Sequence, residues 1–312
     1  MRLREKWRRS SNRLSASTLH RDSHNATKCC GYNDGMLTSH LRASWARLIT
    51  VGVIVLLSGT AAAQSGAPGL LSHRAVYGLS KHVGSVVSDI AGVKGRLEIT
   101  FEVACDGWRM EQYIGFRIYH TEGPGFEHVA HLSGWESTNG ADFWFSTRSY
   151  QDRELSEELG GVAHLDEPGA SGETRYAKPE KQVVPLPAGT IFPARHLAEL
   201  IATAKAGKRH LTRIVFDGSA LDSPYEVTAF IGAERAPGGE DIPTFVSDKR
   251  SWFFRLAYFK QAAIEPSPEF ELSAVLYENG VAGDMIYDYG DFSIDVKLRE
   301  LEILPVQECT VN

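Results

Sequence analysis

The stretch Ala104-Cys105-Asp106-Gly107-Trp108 limits what this chain can fold into more than any other. Ahead of it, Leu97, Ile99, Phe101 and Val103 alternate with Arg96, Glu98, Thr100 and Glu102. A period of two marks a strand with one apolar face and one wet face. Trp108 to Ile114 opens a second strand, so Asp106-Gly107 is expected to form a type I′ hairpin turn, in which both central residues need positive φ. The cysteine at the tip of this hairpin needs a partner.

Its identity depends on how much of the N-terminus is kept. Arg42 and Arg47 precede the apolar run Leu48 to Leu57, which leads through Ser58-Gly59-Thr60 to Ala61-Ala62-Ala63. A basic flank, about ten apolar residues and a small-residue end describe a secretory signal peptide cleaved after Ala63. The run is short of the roughly 20 residues of a membrane span. Residues 1–35 are Arg-rich and unpatterned, and Met36 would open a signal of ordinary length, so translation is expected to begin there. The expected organisation is an extension and cleaved signal over 1–63 and a single exported, periplasmic domain over 64–312. Cleavage removes Cys29 and Cys30 and leaves Cys105 and Cys309, which in an exported chain read as one disulfide. No Cys-x-x-Cys motif supports thiol exchange.

Residues 1–63 hold ten of the 33 Lys and Arg and three of the 39 Asp and Glu, so the remaining chain carries a net charge of −13. No basic stripe is left for nucleic acid or anionic head groups. The 249 remaining residues suffice for a sizeable core.

Strands are expected over Leu71 to Leu79, Val83 to Asp89, the hairpin arms up to Val103 and His120, Glu127 to Glu136 and Asp142 to Tyr150, with turns at Gly92-Gly95, Gly123-Pro124-Gly125 and Asn139-Gly140. Asp152 to Gly172 reads as a surface loop holding a short strand at Val162 to Leu165. One helix is expected over about 193–206, with Pro193 in its first turn, Leu197, Leu200 and Ile201 at helical spacing and Gly207 as its C-terminal cap. Strands resume at Leu211 to Phe216, Tyr225 to Ile231, Thr244 to Ser247, Ser251 to Phe259, Phe270 to Tyr277, Val281 to Tyr287 and Phe292 to Ile303. The fold class is all-β: about fourteen antiparallel strands in a curled, spiral or open-barrel sheet with one short helix, because a meander of this length must close on itself to hide its edges.

These segments resemble a known family. Leu71-Ser72-His73-Arg74-Ala75-Val76-Tyr77-Gly78-Leu79, Cys105-Asp106-Gly107-Trp108, Phe192-Pro193-Ala194-Arg195-His196, Phe216-Asp217-Gly218-Ser219, Tyr277-Glu278-Asn279-Gly280-Val281 and Asp288-Tyr289-Gly290-Asp291-Phe292 together look like the cell envelope integrity protein EipB family, from about Leu70 to the C-terminus. The resemblance implies a periplasmic β-spiral curled around a helix, a Cys105–Cys309 disulfide, a role in maintaining the cell envelope and no established catalysis.

Read by themselves, the residues nominate no catalytic, metal or cofactor site. His128 and His131, three apart on a strand, point to opposite faces, so with His120 they do not form a zinc site. His73 and His196 suit structural hydrogen bonds better than general base roles. No Gly-x-Ser-x-Gly elbow exists, and Asp284, Asp288 and Asp291 lack calcium-loop spacing. The aromatic residues are more telling: they are expected to fill the concave interior of the sheet as core, and the sharper alternative is that Trp135, Trp144, Trp252, Phe254 and Tyr258 line an apolar cavity or groove for a lipid, acyl chain or lipoprotein tail. The expected function is non-enzymatic support of the envelope through binding an envelope protein, lipoprotein or lipid, and the alternative is a hydrolase of an envelope polymer.

Overall fold

A computed structural model describes residues 69–84, 89–221, 223–237, 246–261 and 267–305, with positions 307 and 309. The expected signal peptide and the Met36 start lie outside these residues. The chain runs through β1 (His73–Lys81), β2 (Ile90–Val103), β3 (Gly107–His120), β4 (Phe126–Ser137), β5 (Asp142–Gln151), β6 (Glu154–Leu165), β7 (Gly172–Lys178), β8 (Gln182–Leu186) and β9 (Thr190–Ile191). Helix α1 (Pro193–Lys205) follows, then β10 (His210–Val215), β11 (Tyr225–Arg235), β12 (Ser251–Lys260), β13 (Phe270–Tyr277), β14 (Ala282–Asp288) and β15 (Ser293–Ile303). All fifteen strands form one sheet in the order β8-β7-β6-β5-β4-β3-β2-β1-β15-β14-β13-β12-β11-β10-β9. Every pair is antiparallel except β9 on β10.

This order explains the curl. The two edges, β8 and β9, are consecutive in the chain and separated by only three residues, 187–189, so the sheet must bend until its edges come within reach of each other. The result is a nearly closed, barrel-like sheet. Neither edge invites another strand: β9 has two residues, and β8 carries Pro185, which has no N–H to offer.

Several turns differ from expectation. The Cys105 hairpin is present, but its turn is shifted by one residue: Ala104 N–H donates to the Gly107 carbonyl at 2.8 Å, so Cys105 and Asp106 are the central residues, and neither has positive φ. Gly107 is needed instead for space, since a Cβ there would lie 2.0 Å from the Glu136 carbonyl oxygen. The type I′ positions are filled by Asp152 (φ 51°) and Arg153 (φ 71°) between β5 and β6. Two 2.9 Å bonds hold that tight turn: the Asp152 carboxylate accepts from Glu127 N–H, and Asp152 N–H donates to the Glu127 carbonyl. Because these are not glycines, the region reads as charged loop in sequence, whereas β6 occupies twelve residues of it. Gly92 and Gly95 lie inside β2, where Gly95 leaves room for Gly115 and Phe116 of β3. Residues 246–247 are in a turn, and the rest of the strand expected at 244–247 lies outside the described residues, as do 85–88 of the one expected at 83–89.

Helix α1 fills the barrel at the end bearing the β2–β3, β4–β5 and β13–β14 connections. It starts at Pro193, and Gly207 (φ +71°) turns the chain away after it. Ala194, His196, Leu200, Ile201 and Ala204 are its buried face. Leu200, Ile201 and Ala204 pack with Val227, Ala229, Ile231, Trp252, Phe254 and Leu276 of β11–β13. Phe192 and Phe216 insert among Phe143, Phe145, Leu159, Tyr176 and Leu186 of β5–β8, and Ala194 meets Phe101 and Trp108.

Cys105 and Cys309 form a disulfide with a Cα–Cα distance of 5.5 Å across 204 residues of sequence. It ties the β2–β3 loop to the segment after β15. A loop of that length corresponds to roughly 5 kcal/mol in the chain-entropy model, and measured values run at about 2–4 kcal/mol. Cys105→Ser is therefore expected to lower the melting temperature of the oxidised protein by several degrees, measured by circular dichroism; melting together with the wild type would show that the bond is not a stabilising tie.

Candidate functional site

The interior has one buried ionisable anchor. Glu136, at the end of β4, is wholly buried, and its carboxylate accepts from the N–H groups of Ala194 at 2.6 Å and Arg195 at 3.0 Å. Phe192 provides no side-chain cap, so a carboxylate from a distant strand satisfies the first turn of α1 and meets the positive end of its dipole. Burial pushes the Glu136 carboxyl up to about 7, with the two N–H bonds and the Arg195 charge pulling it back. His196, one residue further along the helix, is buried with Nε2 unpartnered, and burial lowers it to about 4.

The five residues expected to line an apolar interior fall into three places. Trp135 and Trp144 are cross-strand partners and therefore share a face, and Trp144 is 45% exposed on the outside. They sit in an outer row with Arg109, Val162, Arg175 and Val183, beside a shallow depression of about 280 Å³ floored by Gly160 and Gly161. This is a correction to their expected inward placement. Pairing follows the register, and Trp135 shares its face with Arg109 and Trp144 while the inward face is taken by Glu136 and Phe143. Trp252 and Phe254 do point inward, but they are 1% exposed and pack around α1, so they form core and not a lining. Only Tyr258 reaches an accessible part of the interior.

That part is the end of the barrel opposite α1. Inward positions at the ends of β12, β13 and β14 carry Tyr258, Phe270 and Tyr287, followed by Tyr289 in the β14–β15 turn. Tyr258 stacks on Phe270 at 4.2 Å, Tyr225 meets both rings edge-on, and Tyr289 stacks on Phe292 at 5.2 Å. On β3 and β4, Phe116 and His128 face inward at the same end with rings 5.2 Å apart. Burial raises the phenols of Tyr258, Tyr287 and Tyr289 above their ordinary value and lowers His128, yet all four residues keep partial solvent access. Side chains crowded by protein but still wetted line a concavity. Its floor is closed: one step deeper, Tyr77, Val227, Leu256, Met285 and Val296 are at most 5% exposed. The sequence signal for this cup is the Tyr287–Tyr289 pair, which stands among Asp284, Asp288 and Asp291.

Nothing gathers for catalysis among the described residues. Glu136 is committed to the helix and Asp217 to the N–H of Ser219 at 2.9 Å, and no hydrogen bond joins either to a histidine. Burial raises the Asp217 carboxyl. No group of three or more His, Cys, Asp or Glu side chains could hold a metal among the described residues. A cleft of about 340 Å³ beside α1 contains Glu199 between Arg195 (3.0 Å) and Arg213 (2.7 Å). Burial would raise Glu199, but the two guanidinium bonds hold it below its ordinary value.

A curled antiparallel sheet plugged at one end by a single helix and stapled by one long-range disulfide defines a class of β-barrel-like domains. The chain belongs to the EipB-like family, whose model matches residues 64–305. It is 31% identical over 250 residues to the cell envelope integrity protein EipB of Brucella abortus (strain 2308), a match covering 78% of this chain and 88% of that protein. It also resembles the crystal structure of a beta-barrel-like protein of a domain of unknown function from Brucella abortus, with a TM-score of 0.69 and 31% identity, covering 76% of this chain and 99% of that one.

Glu136 and His196 titrate with opposite consequences. The Glu136 carboxyl binds its proton more tightly folded (about 7) than unfolded (about 4.5), so its contribution is present at low pH and lost as pH rises to 7. His196 binds its proton less tightly folded (about 4) than unfolded (6.5), so its contribution is lost as pH falls below 6.5. Each corresponds to about 3 kcal/mol across its window. In wild type the two slopes oppose each other between pH 4.5 and 6.5. Urea unfolding of Glu136→Gln, which keeps one acceptor for the helix, is expected to expose the histidine slope, with stability relative to wild type rising as pH rises to 7. A difference that stays constant with pH would mean that Glu136 does not titrate in this range.

Proposed function

We propose that this chain is an exported, non-catalytic protein of the bacterial periplasm that supports cell envelope integrity by binding an envelope component. Export rests on the signal-like sequence before residue 64 and on the single disulfide, which suits an oxidising compartment. The envelope role rests on the name and similarity of the Brucella abortus relative. The observation that carries binding is the cup. It holds partly exposed aromatic rings and phenol hydroxyls that bond to no described residue, whereas the Glu136 and Asp217 carboxyls are occupied by backbone N–H groups. The hydrolase alternative has no supporting observation, since general acid and base groups would have to converge within hydrogen-bond reach of one another.

The test is genetic and chemical. Deletion of the gene is expected to sensitise cells to detergent and to cell-wall antibiotics, with growth restored by the wild-type gene. A Tyr258→Ala, Tyr287→Ala double variant that accumulates and melts normally is expected to restore growth poorly. Full rescue by that variant would move the working surface away from the cup, and an unaltered deletion strain would reject the envelope role.

A further inference from the structure

The cup can be assigned a ligand class, an inference that rests on the binding role proposed above. Four features of its lining narrow the choice. The hydroxyls of Tyr258, Tyr287 and Tyr289 hydrogen-bond to no described residue, and each can both donate and accept. An aromatic wall runs from Tyr225 through Tyr258 and Phe270 to Tyr289 and Phe292, in which Tyr225 and Phe292 are buried and Tyr258, Phe270 and Tyr289 keep solvent access. Among the described residues at the rim, the Lys81 ammonium donates to the Ile90 carbonyl and Lys260 pairs with Glu269 at 3.3 Å, while the Asp217 carboxyl lies close enough to Tyr258 to raise its phenol. The floor is sealed a single layer of side chains below the tyrosines, which leaves no channel for an acyl chain.

We infer that the cup binds an uncharged saccharide ring, stacked on the aromatic wall and hydrogen-bonded through its hydroxyl groups to Tyr258, Tyr287 and Tyr289. A phosphate or carboxylate head group would be repelled by the Asp217 carboxyl, and the rim cations are already engaged, Lys81 with the Ile90 carbonyl and Lys260 with Glu269. A fatty acyl chain would leave the three phenols unpaired against hydrocarbon, which costs binding energy. A ring bearing several hydroxyls meets both requirements, since it presents an apolar face to the wall and donors and acceptors at its edge.

Isothermal titration calorimetry of the oxidised, exported protein with chitotetraose and maltotetraose tests this, with lauric acid and inorganic phosphate as competing chemistries. Saturable binding of at least one oligosaccharide is expected. It should weaken about three- to tenfold in each of Tyr258→Phe and Tyr287→Phe, which keep the ring and remove one hydroxyl. Both variants are expected to melt like wild type, because the hydroxyls hold nothing in the fold. No heat from either oligosaccharide at millimolar concentration would overturn the assignment, and so would oligosaccharide binding that both variants leave unchanged. Binding of lauric acid alone would also overturn it while leaving the broader binding role intact. If the deletion strain has no envelope defect but the oligosaccharide binds through these tyrosines, the envelope role fails and the ligand class stands.

Discussion

The bond between Glu136 and the first turn of α1 is the contact on which the interior depends. A helix inside a sheet of fifteen strands must present its own unsatisfied N–H groups to something polar, and the surroundings of this one are Phe101, Trp108, Phe143 and Phe192. Glu136 meets that need from β4, and in doing so fixes where the helix starts. The register of its neighbours follows: Phe192 lands among β5–β8, Ala194 on β2 and β3, and the face of Leu200, Ile201 and Ala204 on β11–β13. Without such an anchor, sliding α1 by one turn would shift the three groups of contacts together.

The same anchoring separates the two ends of the barrel. At the helix end the sheet is filled, and Phe101, Trp108, Phe143, Phe192, Trp252 and Phe254 are all buried. At the other end the β10–β11 loop turns inward, with the Gly218 carbonyl accepting from Thr147 Oγ1 at 3.1 Å, and aromatic rings crowd beside it. Structural polar groups lie mostly at the first end, in Glu136, Ser72 and Asn279, each bonded to backbone. At the second end Asp217 accepts from Ser219 N–H, whereas the hydroxyls of Tyr258, Tyr287 and Tyr289 bond to no described residue.

How much was legible in the sequence varies with the range of the interaction. Strand alternation and the helix with Pro193 and Gly207 declare themselves locally, the distant cysteine pair declares itself by count, and all appear in the structure. The β5–β6 turn did not, because Asp152 and Arg153 adopt positive φ without glycine, and so the twelve residues of β6 look like charged loop. Strands β7 to β9 are short and interrupted by Pro179 and Pro185, which hides their pattern. The placement of the tryptophans failed for a different reason. Alternation shows that neighbours take opposite faces but not which face is inside, and Trp144 lies between Phe143 and Phe145, either set being apolar enough to be buried.

That ambiguity also explains why two apolar surfaces exist. Burying the phenylalanines of β5 leaves Trp135, Trp144 and Val162 outside, in a row bounded by Arg109 and Arg175. Exposed Trp is expensive to leave in water, since each indole carries a large apolar area. Trp135 is only half-buried, but its Nε1 is sealed from water without a partner, which adds an unpaired donor to the same row. A sheet that had only to be stable would place smaller polar residues at these cross-strand positions, as it does one step along at Ser133 and Ser146. The tryptophan pair is therefore a cost that the disulfide, the closed edges and the plugged interior allow the fold to carry.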